Sequence, residues 1–202
     1  MGFKLGGAQV RLEFTFAAVL CILLVAFPLS TVLYILTAVL LHELGHLLCA
    51  AVFHVYPTRV VLSARGVGIT MDLGGLSGPC RFAVALAGPA VNLCMCVPAA
   101  LLDFRLWAIV NGIVGLLNLI PIPGLDGGDL LQIVLERRFG SAAAERVCLA
   151  VGGVVLFPTA AAYFLLLLTG MISRRSLLVF AYLVVLLFAE PVPDCQTSRK
   201  ML

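Results

Sequence analysis

Apolar runs long enough to cross a bilayer, each closed by a short polar or Pro/Gly-rich break, set the rhythm of this chain. After a short head, Met1 to Glu13, carrying Lys4 and Arg11, the first run is Phe14 to Leu29. Its charge-then-apolar order is that of a signal peptide, but no small-x-small cleavage site follows and more runs do, so it predicts a retained transmembrane helix. Further spans are expected at about 31–53, 79–102, 106–120, 147–169 and 177–189. Between the second and third, Val55 to Gly78 breaks the helical pattern. Pro57, Gly66, Gly68 and Gly74-Gly75, mixed with β-branched residues, predict short strands turning at Gly66. Its exposed edge could pair with an extended peptide, or it could be an ordinary loop hairpin. The expected fold is therefore an all-α polytopic membrane protein of about six transmembrane helices, with a small β-hairpin between helices 2 and 3. Residues 1–190 form the core, and residues 191–202 form a short cytoplasmic tail.

Composition agrees. The chain has 202 residues, of which 62% are hydrophobic and 11% charged, against about half and a quarter in soluble domains. A net charge of +3, dispersed along the chain, gives no nucleic-acid footprint. The seven cysteines form no C-x-x-C pair and mostly lie in apolar runs, so they read as small buried apolar residues. Charge distribution says more. With the N-terminus inside, ten basic residues (Lys4, Arg11, Arg59, Arg65, Arg81, Arg137, Arg138, Arg146, Arg199 and Lys200) fall on the inner side, and three (Arg105, Arg174 and Arg175) on the outer. The positive-inside rule then puts the N-terminus, the hairpin and the Asp126 loop in the cytoplasm.

The chemistry is concentrated in His42-Glu43-Leu44-Gly45-His46, set inside the second run. A charged group at a bilayer centre costs about 3 kcal/mol or more. On a helix, two histidines four apart share a face. Two imidazoles there can bind one Zn²⁺, with Glu43 beside them as a base for a water. A structural pair of hydrogen-bonded histidines is the alternative, and the apolar flanks weigh against it. Downstream, Asn118 and Asp126 flank Pro121-Ile122-Pro123-Gly124, a break at membrane depth. Asp126, on an expected unwound segment, is a candidate third ligand. Asp129 could substitute but reads better as the cap of an amphipathic helix, Leu130 to Phe139. Asn92 reads as an interhelical hydrogen bond ahead of a direct catalytic role. His54 reads as a surface residue. On the charge count, the His42–His46 segment and Asp126 lie at similar depth near the cytoplasmic leaflet.

His42-Glu43-Leu44-Gly45-His46, Gly88-Pro89-Ala90-Val91-Asn92, and Asn118-Leu119-Ile120-Pro121 leading to Leu125-Asp126-Gly127 together resemble the site-2 protease family of intramembrane zinc metalloproteases. The resemblance covers residues 10 to 190. It implies that His42, His46 and Asp126 bind zinc, that Glu43 is the general base, and that Asn118 lies beside the scissile peptide. It further implies a membrane-spanning protein substrate, such as a transcription factor precursor or anti-sigma factor, a regulatory membrane partner, and a bacterial cell membrane location. Residues 54–79 are too short for a PDZ domain, and the tail is too short for a CBS domain. What remains is similar to the sporulation-type branch. Three rivals stand beside this: a membrane zincin of the other type, its site completed by a distant Glu (Glu136, Glu145 or Glu190, all at expected membrane edges), a membrane metal-ion transporter, and a non-catalytic membrane scaffold.

Overall fold

The computed structural model describes residues 2–5, 8–64 and 66–169. In chain order these form β1 (Gly2–Leu5), β2 (Ala8–Leu12), α1 (Phe14–Ala26), α2 (Leu29–Val52), β3 (Pro57–Ser63), β4 (Gly66–Met71), α3 (Gly78–Leu101), α4 (Arg105–Asn118), α5 (Asp126–Phe139) and α6 (Ser141–Leu168). The architecture is mostly helical with one small sheet. Two compact units divide between Asn118 and Leu119.

In the first unit, α2 packs on α3, and α4 packs on both. At 24 residues each, α2 and α3 reach about 36 Å at ~1.5 Å per residue. Among the described residues, they are the two helices long and apolar enough to cross a membrane. Ser77 precedes α3, and Pro79 sits in its first turn, where a missing N–H costs no hydrogen bond. The helix runs on through Pro89 and Pro98. Small residues set the α2–α3 distance, because a Cβ on Gly45 would stand 2.7 Å from the Ala87 carbonyl oxygen. That is the close backbone approach that membrane helices use in place of a hydrophobic driving force.

The apolar face of α2 points outward. Leu29, Leu33, Leu40, Leu44, Leu48 and Val52 are all exposed, while Ala38, His42, Gly45, His46 and Ala50 are buried. A water-soluble helix turns its apolar stripe inward. This one keeps its two histidines inside and offers leucine to its surroundings, the order expected in lipid.

The expected hairpin is present but is half of a larger sheet. Four strands lie in the order β1-β2-β3-β4, antiparallel except for the parallel β2–β3 pair. Gln9 pairs with Arg59 and Leu12 with Leu62, and the Glu13 N–H donates to the Leu62 carbonyl at 2.9 Å. The all-α expectation with a lone hairpin is thus corrected: the head before the first helix is two strands. Ala8-Gln9-Val10-Arg11-Leu12 alternates apolar and polar residues, the period-2 signature of a strand. β1 and β4 are the edges. Gly66, at φ +98°, closes the β3–β4 turn in a conformation that favours glycine.

In the second unit, the break is shorter than the sequence predicts. Helix α5 starts at Asp126, with Leu125 as its N-cap. Asp126 is therefore the first residue of a helix, not part of an unwound segment, and Asp129 lies within the first turn, not at the cap. Gly127 and Gly128 are helical and buried. A Cβ on Gly127 would run into the Leu119 and Ile120 carbonyls, and one on Gly128 into the Ile122 carbonyl. These glycines let the turn fold back on its own connector; they do not end a helix. Gly152 of α6 packs against Pro123, where a Cβ would lie 2.7 Å from Cδ.

The expected sixth span, the loop 173–175, the tail and Arg65 lie outside the described residues. Cys21 and Cys94, expected to be buried, are exposed on α1 and α3, whereas Cys148 is buried.

Candidate metal centre

His42 and His46 lie one turn apart on the inner face of α2, both buried. Their Nε2 atoms stand 3.2 Å apart. Each Nδ1 has an identified acceptor. For His46 it is the Val84 carbonyl of α3, at 2.8 Å. A carbonyl oxygen only accepts, so this Nδ1 carries the hydrogen. For His42 it is Oδ1 of Asn92, at 2.9 Å. Asn92 Nδ2 donates to the Ala38 carbonyl at 3.0 Å and to Asn111 Oδ1 at 2.9 Å. The Ala38 bond fixes which end of the amide is nitrogen, so Oδ1 faces His42, and that Nδ1 also carries its hydrogen.

Neutral rings protonated at Nδ1 bring two Nε2 lone pairs together in a buried site, which is repulsive unless a proton or a cation lies between them. Two Zn–N bonds of about 2.0–2.1 Å at a tetrahedral angle would place the nitrogens roughly 3.3 Å apart. The pair therefore fits a metal with tetrahedral preference, held by neutral imidazoles whose far nitrogens are anchored.

Gly88 explains how His46 fits against α3. A Cβ there would collide with the ring, meeting Nε2 and lying 2.7 Å from both Cδ2 and Cε1. Glu43 follows His42 on α2 and is half-buried. Asn118 is the last residue of α4, half-buried, with Nδ2 donating to the Val114 carbonyl at 3.0 Å. An amide nitrogen has a second hydrogen to give.

In the second unit, Asp126 opens α5 and its Oδ2 is buried. The helix N-terminus favours a negative carboxylate there. The connector is pinned by Ile122 N–H to the Ile120 carbonyl at 2.7 Å and Leu125 N–H to the Ile122 carbonyl at 3.1 Å. Asp129 is exposed, as is His54 at the end of α2, with φ +58°.

Sequence reasoning missed Asn111. It is fully buried, at 0% exposure, and ties Asn92 to α4. The available signal was a lone amide in an apolar helix, the same cue that drew attention to Asn92.

Comparison with known proteins gives these relations. Residues 101–159 match the profile of Peptidase family M50. A zinc metalloprotease of Methanocaldococcus jannaschii is 26% identical over 207 residues, covering 93% of this chain and 58% of that protein. Stage IV sporulation protein FB of Bacillus subtilis is 31% identical over 148 residues, covering 64% and 51%. This chain thus spans between half and three-fifths of the length of these two relatives. A solved structure, the site-2 protease from Methanocaldococcus jannaschii, superposes with a TM-score of 0.64 over 92% of this chain and 88% of that one, at 22% identity. The fold is shared.

Proposed function

We propose that this chain, a relative of the M50 peptidases with the fold of a site-2 protease, is an intramembrane zinc metalloprotease. It hydrolyses a peptide bond in or near a transmembrane segment of a membrane-tethered protein, of the kind represented by transcription factor precursors and anti-sigma factors. The observation that carries this is the His42–His46 pair, whose Nε2 atoms converge at 3.2 Å while both Nδ1 atoms are held from outside. The chain is an integral membrane protein. About six transmembrane helices within a core of residues 1–190, a bacterial cell membrane and a cytoplasmic active site are the finer reading. The parallel β2–β3 pairing supports one part of it, because it puts the N-terminal strands and the hairpin at the same end of the α1–α2 pair.

His42 and His46 would hold zinc through Nε2, with Asp126 as the carboxylate ligand, a two-nitrogen, one-oxygen donor set common in hydrolytic sites. Bound zinc would supply Lewis acidity and make hydroxide available near neutral pH. Glu43 takes a proton from the attacking water and later delivers it to the leaving amine. Asn118 donates its second amide hydrogen to the oxygen that gains charge at the attacked carbonyl. The inner faces of α2 and α3 exclude bulk water, which strengthens each of these interactions. The substrate must be extended there, because a helix occupies its own carbonyls. The free edge of β4 is the proposed place for it to pair, as an added strand.

The test is co-expression of candidate single-span substrates with the wild-type chain or with Glu43→Gln. A shortened product seen with wild type alone establishes the reaction class, and general acid–base loss of this kind typically lowers rates by about 10²–10⁴. Zinc-dependent movement of metal across vesicles by Glu43→Gln, with no cleavage by wild type, would replace this reading with transport.

A further inference from the structure

Beyond the histidines lies Asn92, whose side-chain acceptor and both amide hydrogens are engaged. It is 0% exposed in an apolar helix, yet every bond it makes is directional. Both Nδ2 hydrogens are used, on Ala38 of α2 and on Asn111 of α4, and Oδ1 is presented to His42 Nδ1. Asn111 is oriented in turn by its own Nδ2, which donates to the Trp107 carbonyl at 2.9 Å. The indole of Trp107 donates to Thr37 Oγ1 at 3.1 Å, one residue before Ala38. The chain of donors and acceptors has one polarity from Trp107 through Asn111 and Asn92 to His42. Reversing the Asn92 amide would break the bonds to Ala38 and Asn111 and turn an N–H toward His42.

We propose that Asn92, backed by Asn111, is a positioning residue that sets the tautomer of His42 and so the metal affinity of its Nε2. The inference rests on the reading of His42 as a metal ligand. It differs from a purely structural reading of Asn92 in one respect. If the residue only ties α2 to α4, its two donors matter most. If it positions His42, its acceptor matters most. Replacement by Asp keeps an acceptor toward His42 and removes both donors. Replacement by Leu removes all three bonds at similar volume.

The experiment uses the full chain, purified in detergent and titrated with Zn²⁺ against a competing chelator. Selective ¹⁵N labelling of histidine reads the tautomers directly, since the sequence has just three histidines. Outer partners of metal-binding histidines typically contribute about 10–100-fold to affinity, so Asn92→Leu should weaken Zn²⁺ binding by about that factor. Asn111→Leu should weaken it less, in the same direction. Asn92→Asp should stay closer to wild type than Asn92→Leu by roughly tenfold. In Asn92→Leu the His42 ring should shift toward the Nε2–H tautomer, while His46, held by a backbone carbonyl, keeps Nδ1–H and serves as the internal reference.

The inference is overturned if Asn92→Asp is as damaged as Asn92→Leu, or if both rings change together. Should Asn92→Leu fail to fold, Asn111→Leu and Asn92→Asp still decide it: unchanged affinity in the first, or severe loss in the second, overturns it. If the wild-type chain shows no Zn²⁺ binding that His42→Ala removes, the metal reading itself fails, which is a separate result.

Discussion

The two units supply their chemical groups by opposite means. In the first, His42 and His46 are fixed by helix phase and by partners on neighbouring helices: Asn92, the Val84 carbonyl and the flat surface left by Gly88. In the second, Asp126 is fixed by a local fold-back, a pinned connector whose carbonyls lie directly against Gly127 and Gly128. The imidazoles depend on tertiary packing, and the carboxylate on a short stretch of backbone. Groups of the first kind should be sensitive to substitutions far away in sequence. Those of the second should be sensitive to near neighbours only.

The largest effect should come from the carboxylate that opens α5. Asp126→Asn removes a proposed ligand, and Zn²⁺ content measured by atomic absorption should fall together with cleavage. Asp129→Asn, exposed on the same turn, should leave both unchanged and shift stability by no more than about 0.5 kcal/mol. If the two variants exchange these outcomes, the assignment of the second unit's contribution is wrong.

Next in size is Asn118→Ala. Loss of one donor to a developing oxyanion typically costs about 10²–10³ in rate. Cleavage should drop by that factor while Zn²⁺ binding is retained. Metal lost with the activity would mean that Asn118 belongs with the ligand-supporting residues.

Smaller again is Gly88→Ala, which sharpens the contrast most. The new methyl group occupies the place of the His46 ring, so Zn²⁺ affinity should fall by about 10–100-fold, the range for disturbed outer support of a ligand. Gly153→Ala, where a Cβ meets nothing within 4 Å, is the matching control and should bind Zn²⁺ as wild type does.

Much of the first unit was legible in the sequence, because its signals are local and periodic. The H-E-x-x-H spacing places two imidazoles on one face whatever surrounds them. The breaks around Pro28, Pro79 and Asp103 lie within a few residues of the observed helix ends. What was not legible depends on pairing. Strand β2 alternates correctly, but its partner β3 lies some fifty residues on, so in the sequence the head shows only as a short charged stretch before a retained helix. Asn111 shows in the sequence as an amide in an apolar helix, but its partner Asn92 is fixed only when α4 lies against α3. The sequence puts the helix start at Leu130, not Asp126, because glycine's average preference is against helix. Gly127 and Gly128 are there for clearance, and clearance is invisible until the connector above them is known. Asp126 was chosen from the sequence for its position after the break. It opens a helix, with Leu125 as the N-cap before it.

The parallel β2–β3 ladder has a consequence for biosynthesis. Strand β2 leaves the ribosome first, but its partner follows only after the whole α1–α2 hairpin has been made. Closing the sheet therefore requires the chain to have run out along α1 and back along α2, so that β3 emerges beside β2. A nascent chain in which α1 and α2 have not folded back on each other leaves β2 without its partner, so formation of those few backbone bonds acts as a checkpoint on that helix pair early in the life of the molecule.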